Sequence, residues 1–234
     1  GGDKVDSYHG HGAACGTFAD SEPALQPVIY TPHPIDPTQA GTLSPLLPAG
    51  NPDPDPAINK PIPRLYHSIS VLLPDGSVFV AGGVEVSRSL APIPLSTTPW
   101  PNHYRFPITS GEIFRPAYLS LPFRPSIQTP LGEVVFGSNF QIEVLRQPAN
   151  TIDRVVLMRP AALTHHFCND QRYVELSFQP GPTVPSGGLV QETLTVTAPS
   201  YTLIPPGYSM LFVVERNAAG DRSPSIGKFV KLRS

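Results

Sequence analysis

Apolar residues fall in short runs along this chain, alternating with polar ones or standing in small blocks, and Gly, Pro, Asn or Asp closes each run. The runs are PVIY (27–30), HSISVLL (67–73), SVFVAGG (77–83), GEIFRP (111–116), FQIEVL (140–145), DRVVLM (153–158), YVELSF (173–178), ETLTVTA (192–198), YSMLFVVE (208–215) and GKFVKL (227–232). β-branched and aromatic residues dominate them. Such side chains pack well on a pleated surface, and the run lengths suit strands. The pattern predicts an all-β chain.

Within LLPDGSVFV (72–80), Pro74 presets a backbone angle and Asp75-Gly76 supplies a tight turn between two apolar strands. Gly82-Gly83 then ends the second strand where the backbone must turn without a Cβ. Strand, Asp-Gly turn, strand and Gly-Gly together read as a propeller blade of the kelch kind. One such unit is visible. Proline-rich stretches at 31–63 and 91–107 read as extended connectors, with the acidic NPDPDP (51–56) an exposed loop. PFRPSIQTP (122–130) separates two strand-rich blocks, which places one domain at 1–123 and a second, with the strand spacing of an immunoglobulin-like β-sandwich, at 124–234.

Composition sharpens this picture. Proline makes up 31 of 234 residues, against an ordinary usage of about 5%. Proline removes a backbone donor and breaks helices, so the excess favours loops and edge strands. The formal net charge is −2. With no basic run, zinc-knuckle spacing or aromatic-basic stripe, nucleic-acid binding is excluded. No run approaches the roughly 18 apolar residues of a membrane-spanning helix. The two cysteines, Cys15 and Cys168, are too few for a disulfide scaffold; one bridge, two free thiols or bridges to another segment all remain open.

The candidate chemistry lies in histidines. RLYHSIS (64–70) sets Tyr66 beside His67 at the mouth of the apolar hairpin, and THHFCNDQR (164–172) sets His165, His166 and Cys168 between two predicted strands. Imidazole is a good ligand for copper, zinc or iron. Neighbours on a strand point to opposite faces, so Tyr66 and His67 share a ligand only where the strand ends or bends. A lone loop histidine is more often a surface or hydrogen-bonding residue. The same holds for His9 and His11 in HGHG (9–12), whose spacing binds metals weakly. Cys168 lacks a second thiolate at metal spacing and reads as packed or bridged.

RLYHSISVLLPDGSVFVAGG (64–83), GEIFRPAYL (111–119), THHFCNDQRYVEL (164–176) and PPGYSMLFVVERNAAGDRSPSIGKFVKL (205–232) stand in the order and spacing of the C-terminal part of the galactose oxidase and glyoxal oxidase family, the copper radical oxidases. The resemblance covers most of the chain from about residue 27 onward. It implies the last part of a β-propeller over 1–123 and an immunoglobulin-like early set domain over 124–234, which sends a loop with one more histidine to the copper.

Transferred residue by residue, Tyr66 resembles the axial tyrosine that accepts the substrate proton, His67 an equatorial copper ligand, and His165 the histidine delivered by the loop. His166, one place later, is the weaker match. The implied reaction oxidises an aldehyde or primary alcohol while dioxygen becomes hydrogen peroxide. Copper takes one electron and a cysteine-linked tyrosyl radical the other. That tyrosine and its cysteine lie upstream in the family, and neither Cys15 nor Cys168 stands at the thioether position. Gly1-Gly2 matches the Gly-Gly end of a preceding blade strand. The expectation is therefore a C-terminal portion that needs an N-terminal propeller partner, is inactive alone, and works outside the cell.

THHFCNDQR is nearer to glyoxal oxidases, which favours small aldehydes or alcohols over galactose or another carbohydrate. A second expectation is a non-catalytic structural glycoprotein on the same fold, with sugars on its proline-rich loops. The chain contains no Asn-X-Ser/Thr sequon.

Overall fold

The structure is a computed structural model, and it describes residues 28–31, 42–45, 68–86, 104–107, 109–164 and 167–234. Among the described residues there are strands, one short 3-10 turn at Ala117–Ser120 and no α-helix, as the short apolar runs predict. The chain divides into two compact units. The first comprises Gly1–Ser70, Phe79–Phe114 and Leu163–Phe167, and the second Val71–Val78, Arg115–Ala162 and Cys168–Ser234.

In the first unit β1 (Val28–Thr31) pairs antiparallel with β2 (Thr42–Pro45). A hairpin of β3 (Ser68–Leu72) and β4 (Val78–Gly82) follows, its tip belonging to the second unit. Next come an antiparallel pair, β5 (Val84–Val86) and β6 (Tyr104–Pro107), and then β7 (Gly111–Phe114), which joins the hairpin in the order β3-β4-β7. β2 and β6 fall inside stretches that the sequence marks as connectors. Proline limits ladder hydrogen bonding but does not forbid short two-stranded pairs. Gly82 and Gly83 have φ of +67° and +100°, the left-handed values expected of the Gly-Gly ending. The Phe79 ring lies on the Gly111 backbone, where an added Cβ would come within 2.5 Å of Cε2.

The second unit is a β-sandwich. One sheet holds β8 (Ser126–Ile127), β10 (Asn139–Arg146), β15 (Phe178–Ser186) and β16 (Leu189–Thr197) in the order β15-β16-β10-β8. The other holds β9 (Glu133–Val135), β11 (Thr151–Met158), β14 (Tyr173–Leu176), β17 (Gly207–Arg216) and β19 (Lys228–Arg233) in the order β14-β11-β17-β19-β9, with β18 (Arg222–Pro224) beside β17. The pairing is antiparallel except that β9 runs parallel to β19. A small ladder, β12 (Leu163–Thr164) with β13 (Phe167–Cys168), interrupts the path from β11 to β14.

Alternation explains the core. Ile142 and Val144 of β10 and Leu194 and Val196 of β16 meet Val155, Leu157, Leu211, Val213, Val230 and Leu232 from the facing sheet, all fully or almost fully buried. β17 departs from alternation because it is buried on both faces. Met210 and Phe212 on its other side form a second apolar cluster with Val156, against which Met158 and Leu72 of the hairpin pack. Hence the unbroken apolar run in YSMLFVVE.

β15 was not among the strands that the apolar pattern predicts. Its sequence FQPGPTVPS carries three prolines, yet it pairs along β16 with a register shift between Pro180 and Thr183. It occupies the sheet edge, where a missing N–H costs no ladder bond and proline discourages further pairing.

Candidate metal centre and its supports

Tyr66, His67, His165 and His166 lie outside the described residues, as do His9, His11 and Cys15. What the structure describes is the framework on either side of the candidate ligands. Chemically, one phenolic oxygen and two imidazole nitrogens make a donor set suited to copper(II). Among the described residues no group of three or more His, Cys, Asp or Glu could hold a metal ion. Cys168 forms no disulfide with a described residue.

β3 starts at Ser68, a buried residue immediately after His67. At the far end of the hairpin, Gly76 N donates to Leu73 O at 2.9 Å and Leu73 N to Ser77 O at 2.8 Å, with Gly76 at φ +84°. The turn therefore has three residues, Pro74-Asp75-Gly76, with glycine in its left-handed position. Ser77 closes it by donating from Oγ (2.5 Å) and N (2.9 Å) to Asp75 Oδ1. The Ser77 hydroxyl, above all other influences, holds the Asp75 carboxyl below its ordinary value. Burial opposes this, while the Ser77 amide, Arg115 and Arg124 assist.

The turn is held inside the second unit by main-chain contacts. Arg124 Nη2 donates to Asp75 O (2.5 Å) and Ser225 O (3.1 Å), and its Nε donates to Pro224 O (2.9 Å). Tyr118 donates its hydroxyl to Gly76 O at 2.6 Å, and Gly227 N donates to Pro74 O at 2.7 Å. Burial pushes the Tyr118 phenol up despite the opposing pull of Arg124, which keeps the donor proton in place.

The other candidate segment, between β11 and β14, has a braced neck. Arg159 N donates to Arg172 O (3.2 Å) and Asn169 N to Ala162 O (2.9 Å). The Arg159 guanidinium reaches Asp170 Oδ2 through Nε (3.0 Å) and Nη2 (2.6 Å), and Tyr208 O through Nη1 (2.9 Å). Leu163–Thr164 and Phe167–Cys168 pair with each other, and His165 and His166 are the two residues between them in the sequence. Arg124, Arg159 and Asp170 were missed in the sequence. For the last two a signal existed: opposite charges at the two ends of a histidine-bearing loop.

Comparison with known proteins follows the same division. Residues 124–232 match the family model described as Galactose oxidase-like, Early set domain. The chain is 29% identical over 223 residues to the aldehyde oxidase GLOX of Vitis pseudoreticulata, covering 91% of this chain and 35% of that protein. It is 31% identical over 221 residues to a galactose oxidase of Gibberella zeae, covering 92% and 26%. It is 29% identical over 177 residues to aldehyde oxidase GLOX1 of Arabidopsis thaliana, covering 73% and 26%. The chain thus spans between a quarter and about a third of the length of these relatives. Residues 124–232, an all-β sandwich, are thus a galactose oxidase-like early set domain, and the chain as a whole is similar to the aldehyde oxidases and the galactose oxidase it matches.

Proposed function

We propose that this chain is the C-terminal portion of an extracellular copper radical oxidase that oxidises a small aldehyde or a primary alcohol. The observation that carries the reading is an alignment to aldehyde oxidase and galactose oxidase over more than nine-tenths of the chain, one that extends well beyond the early set domain. Tyr66, His67 and His165 hold the copper, and Tyr66 accepts the proton of the substrate hydroxyl. Residues 1–123 form the end of a kelch-type propeller whose remaining part supplies the radical tyrosine and its cysteine.

Copper supplies orientation of the substrate oxygen and acceptance of one electron. The net change is alcohol plus dioxygen to aldehyde plus hydrogen peroxide. With an aldehyde, one water is added and the carboxylic acid forms. The two hydrogens lost by the alcohol, or by the hydrated aldehyde, appear in the peroxide.

The test is copper analysis and peroxide assay of the full-length protein with small aldehydes, primary alcohols and galactose. Stoichiometric copper with peroxide release supports the reading. Metal-free protein without turnover removes it and favours the structural glycoprotein, to which the 31 prolines of the chain point.

A further inference from the structure

We propose that Arg159 is a positioning residue that aims the loop bearing His165. The inference rests on the reading of His165 as a copper ligand and names what holds that ligand in place.

A histidine on a loop is a precise ligand only if the loop's ends are fixed, since a free excursion spreads its tip over many positions. Between Met158, the last residue of β11, and Tyr173, the first of β14, the chain makes such an excursion. Arg159 closes its neck from three directions. Its amide bonds to Arg172 O, its guanidinium binds Asp170 Oδ2 through two nitrogens, and its remaining Nη1 binds Tyr208 O on β17. One planar fork thus joins the outgoing strand, the returning segment and a neighbouring strand buried on both faces.

The pair is sheltered, with Arg159 and Asp170 side chains 15% and 28% exposed, so it is screened less than an open surface pair. The backbone at 207 is shaped for the same contact. Gly207 has φ +121°, and a Cβ there would stand 3.1 Å from Arg159 Nη1. Further along the excursion, Asn169 N donates to Ala162 O at 2.9 Å and ties its two sides together again.

The experiment uses the full-length protein and its Arg159→Lys, Asp170→Asn and Gly207→Ala variants. Copper(II) affinity is measured by chelator competition, and hydrogen exchange of 160–172 is followed in the metal-free protein. Lysine keeps the charge but cannot reach Asp170 and Tyr208 O together. It should weaken copper by about 10- to 100-fold, the usual cost of removing a partner that orients a ligand. It should speed exchange in 160–172 and leave β10 and β16 unchanged.

A purely structural role would loosen the whole sandwich and leave the copper affinity of the folded fraction as in the parent. That result in both Arg159→Lys and Asp170→Asn overturns the proposal. If the parent itself has no copper site sensitive to His165→Ala, the functional reading falls and the aiming role falls with it. Exchange in 160–172 then decides separately whether Arg159 braces the loop, and unchanged rates would overturn that as well.

Discussion

Arg124 holds Asp75 by its main-chain oxygen, at 2.5 Å, while the Asp75 carboxylate is engaged by Ser77. The distinction matters because a carbonyl is present whatever residue stands at 75, so the clamp depends on the guanidinium and on the turn's backbone shape. Arg124→Ala removes donors from three carbonyls in a partly exposed setting and should cost about 1–2 kcal/mol. Arg124→Lys should recover only part of it, since one ammonium cannot span Asp75, Pro224 and Ser225. Urea unfolding of the three proteins checks the order.

Gly227 lies against the Phe212 ring, with the position of an added Cβ 2.6 Å from Cζ. Phe212 is buried and cannot swing aside. Gly227→Ala should therefore destabilise by about 1–3 kcal/mol through overpacking. The double variant with Phe212→Leu should lose less than the sum of the two single changes. Strict additivity in thermal unfolding would place the strain elsewhere.

Acid should weaken the hairpin turn. The Asp75 carboxyl is held below 3.8 in the folded protein, chiefly by the Ser77 hydroxyl. The unfolded chain therefore takes up that proton first as pH falls. The stabilisation is complete above the ordinary value and disappears as pH drops through 3.8 to the folded value. Asp75 is only partly buried and solvent screens its charge, so the effect stays below about 1 kcal/mol. The stability gap between parent and Ser77→Ala should be flat near neutrality and narrow in this acid window.

The copper reading separates ligands from the proton acceptor. In the full-length protein His67→Ala and His165→Ala should lose most bound copper, whereas Tyr66→Phe should largely keep copper and lose turnover. Elemental analysis and peroxide release measure the two properties on the same sample. Loss of copper in His166→Ala but not in His165→Ala would move the ligand by one residue.

Much of the fold was legible because β-structure writes itself locally. The alternation in FQIEVL and ETLTVTA corresponds to β10 and β16, with Ile142, Val144, Leu194 and Val196 turned to the core. Asp75-Gly76 and Gly82-Gly83 marked backbone turns by residue type alone, and φ is positive at all three glycines. β15 was illegible for the opposite reason, because its three prolines argue against a strand and only a place at the sheet edge makes one permissible. The parallel partner of β19 was equally hidden, since EVV at 133–135 is too short to signal a strand.

The sequence by itself determined the all-β class, the Asp-Gly hairpin and an immunoglobulin-like sandwich toward the C-terminus, because these depend on periodicity, turn chemistry and the order of short runs. Only the tertiary structure decided that Val71–Val78 belongs with the second unit, that Leu72 packs against Met210 and Phe212, and that Arg124 and Arg159 clamp main-chain oxygens distant in the chain. A backbone carbonyl carries no residue identity, so a side chain that binds one across the fold leaves no partner to be read in the sequence.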